Sequence, residues 1–152
     1  FIKENFLLIP YSPAVLRYIK LERKERTPFL QIFKKIYLNA HLLKAKMDWL
    51  HFGFATQALG SETVAKAIGA TMAVSFRGFD INVYPLKHPG CYTTLWNHVD
   101  KVHSISQYLL NKAVGMGLST KTAATIITPA VDEASIPLST INITSDHLKI
   151  VG

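Results

Sequence analysis

The sequence predicts an α/β fold, a Rossmann-like parallel sheet with flanking helices. Three observations point to it. Short apolar runs of strand length recur along the chain, as in "MDWLHF", "TMAVSF", "KVHSIS" and "AATIITPAVD". Helical patterns separate them, and such alternation means βαβ crossovers in a parallel sheet. Glycines or turn residues close the units, so each run hands over to a loop.

Taken in order, residues 14 to 46 read as two basic amphipathic helices divided at Pro28. Ser12 and Pro13 supply the cap and first turn of one, Thr27 and Pro28 those of the other. In the second, Phe29, Ile32, Phe33, Ile36, Tyr37, Ala40 and Leu43 fall at helical spacing, with Lys34, Lys35, Lys44 and Lys46 elsewhere on the wheel. "ATQALGSETVAKAIG" predicts a helix over 55–69 that ends at Gly69. After "TMAVSF" the stretch "RGFDINVYPLKHPG" reads as irregular, and "CYTTLWNHV" as a short helix. "SQYLLNKAVGMG" is a helix opened by Ser106 and closed by Gly115 or Gly117. A polar connector then leads to a fifth apolar run, "HLKIV". The division expected is a Rossmann-like domain over 1–140 and a connector with the start of a further unit over 141–152.

The chain of 152 residues suits one domain with a core of its own. No apolar run approaches the roughly 20 residues of a membrane-spanning helix. The single cysteine, Cys91, excludes an internal disulfide and fits a reducing compartment. A half-buried structural thiol beside Tyr92 is the simpler account of it than a nucleophile. The net charge of +7 is local: nine Lys and Arg stand against Glu22 and Glu25 between Ala14 and Lys46, and the other residues balance. That confinement is the pattern of a face for an anionic partner.

If the runs are parallel strands, their carboxyl ends share one edge, where ligands of open α/β sheets bind. His51, Arg77 with Asp80, Ser104 with Ser106, and Pro129 with Asp132 would meet there. His51 precedes Gly53, which permits close approach, yet a histidine packed at a strand end explains it as simply. Arg77-Gly78-Phe79-Asp80 reads as a cationic contact, a turn glycine and a loop-binding carboxylate, or as an Arg–Asp pair closing its own loop. Ser106 offers a helix N-terminus to a phosphate or is an ordinary cap. His88, His98 and His103 lack metal-ligand spacing and read as surface or loop histidines. Gly115-Met116-Gly117 ends a helix where a dinucleotide fingerprint would have to follow a strand, and no P-loop is present. No metal and no cofactor is expected.

In order and spacing, "LHFGFAT", "SFRGFD", "VHSISQYLLNKAVGMG" and "IITPAVD" resemble the retaining, group 1 glycosyltransferases of the GT-B fold, over residues 47 to 132. The resemblance implies the latter part of an N-terminal, acceptor-side domain. The family's first strand and glycine-rich loop would lie before Phe1, and its second Rossmann domain after Gly152. It implies transfer of a sugar from a nucleotide-sugar donor to a hydroxyl of a glycan or lipid-linked acceptor, with retention. His51 would lie beside the donor sugar as the catalytic residue. Gly53, Arg77, Gly78 and Asp80 would shape the acceptor side, and Ser106 would cap the helix facing it.

The competing reading is a non-catalytic α/β module that holds an anionic surface through residues 14–46. Nucleic acid is not the expected partner, because the exposed aromatic and base-reading pattern is missing. Either way the location expected is the cytoplasm, at the inner face of a membrane where the basic helices meet anionic lipid.

Overall fold

The computed structural model describes residues 12–130. The run "HLKIV", the connector and Asp132 lie outside them. In chain order come α1 (Ser12–Lys24), α2 (Phe29–Leu38), α3 (Ala40–Leu43), β1 (Trp49–Phe52), a 3-10 turn (Ala55–Ala58), α4 (Val64–Ile68) and β2 (Thr71–Phe76). A π-helical turn (Phe79–Val83) runs into α5 (Tyr84–Lys87), followed by α6 (Thr93–His98), β3 (Lys101–Ser104), α7 (Gln107–Gly115) and β4 (Ala123–Ile126). The fold is α/β with a Rossmann-like parallel sheet, as the alternation of runs predicts.

The four strands pair in parallel in the order β1-β2-β3-β4. Each step is one crossover to the next neighbour, and right-handed crossovers in one direction put every connection on the same sheet face. The register agrees with this. Leu50 lies beside Met72, and Val74 beside Val102. With Phe76, these side chains belong to the buried core that α1, α2, α4, α6 and α7 complete through Tyr18, Ile32, Val64, Leu95 and Leu109. Trp49, His51, Ala73, Ser75, Lys101 and His103 alternate onto the other face, and none belongs to that core. Parallel sheets are ordinarily apolar on both faces. Here the second face is polar.

The N-terminal helices are tied down by polar groups. Glu22, only 1% exposed, accepts from Thr63 Oγ1 at 2.6 Å, Thr27 Oγ1 at 2.9 Å and Lys35 Nζ at 2.8 Å. Burial raises its pKa, but Lys35 and the two threonines outweigh burial and hold it below the ordinary carboxylate range. The neighbouring Tyr18 hydroxyl is pushed up by burial, and further by the charges of Glu22 and Glu62.

Four local expectations give way. Thr27 does not cap α2, because its hydroxyl goes to the buried Glu22 carboxylate, the stronger acceptor. The helix expected over 29–43 breaks at Asn39, whose buried amide donates to Lys35 O at 2.9 Å and Gly60 O at 3.0 Å. The pattern over 55–69 divides at Gly60, whose φ of 85° places it in the left-handed region, so only its two ends are helical. The stretch after β2 is helical rather than irregular, since Asp80 gathers its first turn, as described below.

Candidate functional site

His51 is the third of four residues of β1 and stands beside Ala73 of β2. It therefore sits short of the strand's end. Its exposed side chain rises on the polar face toward the carboxyl edge, where Nε2 meets Ser75 Oγ at 2.8 Å. Ser75 Oγ in turn meets His103 Nδ1 at 3.0 Å. Three adjacent strands are thus joined by one polar chain. Sequence reading missed two of its three members. His103 is half-buried within β3 and is no loop histidine. His98 is no surface histidine either: its side chain is 7% exposed, and Nε2 pairs with Glu25 Oε1 at 2.9 Å. His88 is exposed and stacks on Tyr84, with ring centres 4.5 Å apart.

Arg77 follows the last residue of β2, and Asp80 opens the turn beyond it. The expected Arg–Asp pairing is made by the backbone. Asp80, fully buried, accepts from Arg77 N at 3.1 Å, Thr56 N at 3.2 Å and Thr56 Oγ1 at 3.1 Å. One carboxylate so staples the loop after β1 to the loop after β2. Tyr92 secures the same turn by donating to the Asp80 carbonyl at 3.0 Å. Burial, and then the Asp80 charge, raise the Tyr92 pKa, so this donor keeps its proton. The Arg77 guanidinium is left free to lie over the Phe54 ring, 5.1 Å from its centre. Among the described residues it has no carboxylate partner. Phe54 is 36% exposed, and Phe79, 58% exposed in the same turn as Asp80, lies near Tyr84 with ring centres 6.2 Å apart. An exposed aromatic ring under a cation was not among the sequence candidates, and the second phenylalanine of "FGF" was its only signal.

The serines at the end of β3 are spent on local structure. Ser104 Oγ donates to Ser106 O at 2.8 Å, and Ser106 Oγ accepts from Leu109 N at 3.3 Å as the α7 cap. Gly53 and Gly78 are not required by crowding. A side chain at Gly53 would meet only Gln57 Oε1 at 3.7 Å, and Gly78 has an ordinary helical φ of −57°. Cys91 is half-buried, and burial raises its thiol pKa, which makes it a poor nucleophile. Pro129 is exposed. The structure therefore brings Arg77, Asp80 and Phe54 together, joins His51 to Ser75 and His103, and leaves Ser106 in a separate loop.

A pocket of about 250 Å³ lies between α2–α3 and the 3-10 turn, reaching the end of β1 at Phe52, and is lined among others by Lys35, Asn39, His41, Gln57 and Ser61. Its Lys35, Asn39 and Ser61 are already bonded within the protein. No known protein family, curated protein or solved structure matches this chain. No helix among the described residues is long and apolar enough to cross a membrane.

Proposed function

We propose that the carboxyl edge of the sheet and the adjoining polar face form the acceptor-side wall of a glycosyltransferase of the GT-B type. The observation that carries this reading is the Asp80 staple. It fixes two successive strand-end loops at the carboxyl edge, where the unpaired Arg77 guanidinium lies over the exposed Phe54 ring. Aromatic faces suit the C–H faces of a sugar ring, and a guanidinium suits hydroxyl or phosphate oxygens. The order of "LHFGFAT", "SFRGFD" and "VHSIS" along the chain is the order of a retaining, group 1 enzyme.

In the reaction so proposed, the donor's anomeric carbon loses its bond to the diphosphate and gains one to the acceptor hydroxyl oxygen. The hydroxyl proton leaves with the diphosphate. The protein's share is to position the acceptor and to stabilise developing charge. His51 and Arg77 hold substrate oxygens, Asp80 and Ser106 fix the loops, and Gly53 and Gly78 keep side chains out of the way. The donor diphosphate is held chiefly by a second Rossmann-like unit in this reading.

The test is calorimetric titration of the chain with a panel of glycans and nucleotide sugars, comparing wild type with His51→Ala and Arg77→Ala. A saturable glycan complex weakened about tenfold by either change is expected, the equivalent of about 1.4 kcal/mol. Equal affinity in wild type and both variants, or no binding anywhere in the panel, overturns the reading.

A second reading is favoured by one observation. Phe29, Leu30, Phe33 and Leu38 of α2 are exposed, Leu30 by 83%, beside Lys34 and the basic end of α1. This apolar stripe with cations around it fits the surface of an anionic bilayer. It would place a transferase near a lipid-linked acceptor at the inner membrane face, and it would equally serve a non-catalytic module.

A further inference from the structure

The three members of the polar chain constrain one another. Ser75 Oγ has one hydrogen, so between two neutral imidazoles it donates to one nitrogen and accepts from the other. In one arrangement His51 Nε2–H donates to Ser75, and Ser75 donates to His103 Nδ1. His103 must then carry its own hydrogen on Nε2. That atom is buried and has no hydrogen-bond partner among the described residues. In the other arrangement His103 Nδ1–H donates to Ser75, and Ser75 donates to His51 Nε2. His103 Nε2 is then a bare acceptor. An orphaned buried N–H is the rarer and more costly state, so the second arrangement wins. Lys101 is the charged group on the same face, with its ammonium over Trp49 at 4.9 Å. Among the described residues no carboxylate is hydrogen-bonded to either imidazole.

We propose that Ser75 and His103 are positioning residues that lock neutral His51 in the Nδ1–H form, so that this exposed site offers a fixed hydrogen-bond donor. Its ligand atom is therefore an oxygen that accepts, a sugar hydroxyl or a phosphate oxygen. His51 in this state is no base for that atom. The identity of the ligand rests on the glycosyltransferase reading. The protonation pattern does not.

Two-bond ¹⁵N–¹H spectra of the imidazoles at pH 8, above the ordinary histidine range of about 6.5, read the pattern without any ligand. The wild-type chain is expected to show His51 protonated mainly on Nδ1, against the Nε2–H preference of free histidine. Ser75→Ala and His103→Ala should return it to mainly Nε2–H, with the amide spectrum confirming the fold. His103→Asn places an amide donor where Nδ1 stood and should keep the Nδ1–H form even where His103→Ala unfolds. A wild-type His51 protonated on Nε2 overturns the proposal, and so does a pattern indifferent to Ser75→Ala, or one lost in a folded His103→Asn. The ligand titrations above fail or succeed separately, so the two claims are distinguishable.

Discussion

At the scale of single residues, the buried carboxylates govern what the chain tolerates. Asp80→Ala would strand the amides of Thr56 and Arg77, which Asp80 accepts. Each unpaired buried amide costs about 1–3 kcal/mol, so a loss of about 3 kcal/mol in urea unfolding is expected. Asp80→Asn, which keeps an acceptor oxygen, should cost distinctly less. Near-equal midpoints for Asp80→Ala and wild type would refute the staple. Glu22 gives a pH signature. Its folded pKa is lowered, so its contribution is complete above the unfolded value of about 4.3 and disappears as pH falls through the lower folded value. Wild-type stability should therefore drop below about pH 4 more steeply than that of Glu22→Gln. Parallel curves from pH 6 to pH 2 would show that Glu22 makes no such contribution.

At the scale of elements, strands and caps follow local chemistry. Ser106→Ala removes the α7 cap and should cost about 1 kcal/mol in chemical unfolding. An unchanged midpoint would show that the α7 end is satisfied by other means. The apolar stripe of α2 makes its own prediction. Co-sedimentation with vesicles containing anionic lipid should exceed that with neutral vesicles, weaken in salt, and fall with Leu30→Glu. Binding equal on both vesicle types, or absent from both, would leave α2 without a lipid role. Two of the nine cations of residues 14–46 are tied within the fold. Lys35 is committed to Glu22 at 2.8 Å, and Arg17 Nε donates to Ala67 O at 2.7 Å.

At the scale of the whole molecule, parallel pairing converts sequence distance into one edge. The strand runs were legible because apolar stretches between glycine-closed helices leave few other solutions. The Ser106 cap was legible because caps are local. The His51–Ser75–His103 chain was not, since its members lie 24 and 28 residues apart and meet only once the register across three strands is fixed. Thr27 misled for another reason: Glu22, only five residues earlier, offers its hydroxyl a buried carboxylate that outranks the cap. Arg77 and Asp80 were legible as a loop pair, but only the folded loop shows that the backbone amide, not the guanidinium, takes the carboxylate.

Ligands are expected to meet this chain at the carboxyl edge and the polar face beside it. Amide shift mapping of the ¹⁵N-labelled chain, titrated with the glycans and nucleotide sugars of the panel, tests it most directly. Saturable shifts concentrated at residues 51–56, 75–80 and 101–104 are expected, lost together in Arg77→Ala. Shifts confined to α1 and α2, or to the helical side of the pocket at Lys35, Leu38 and His41, would contradict it.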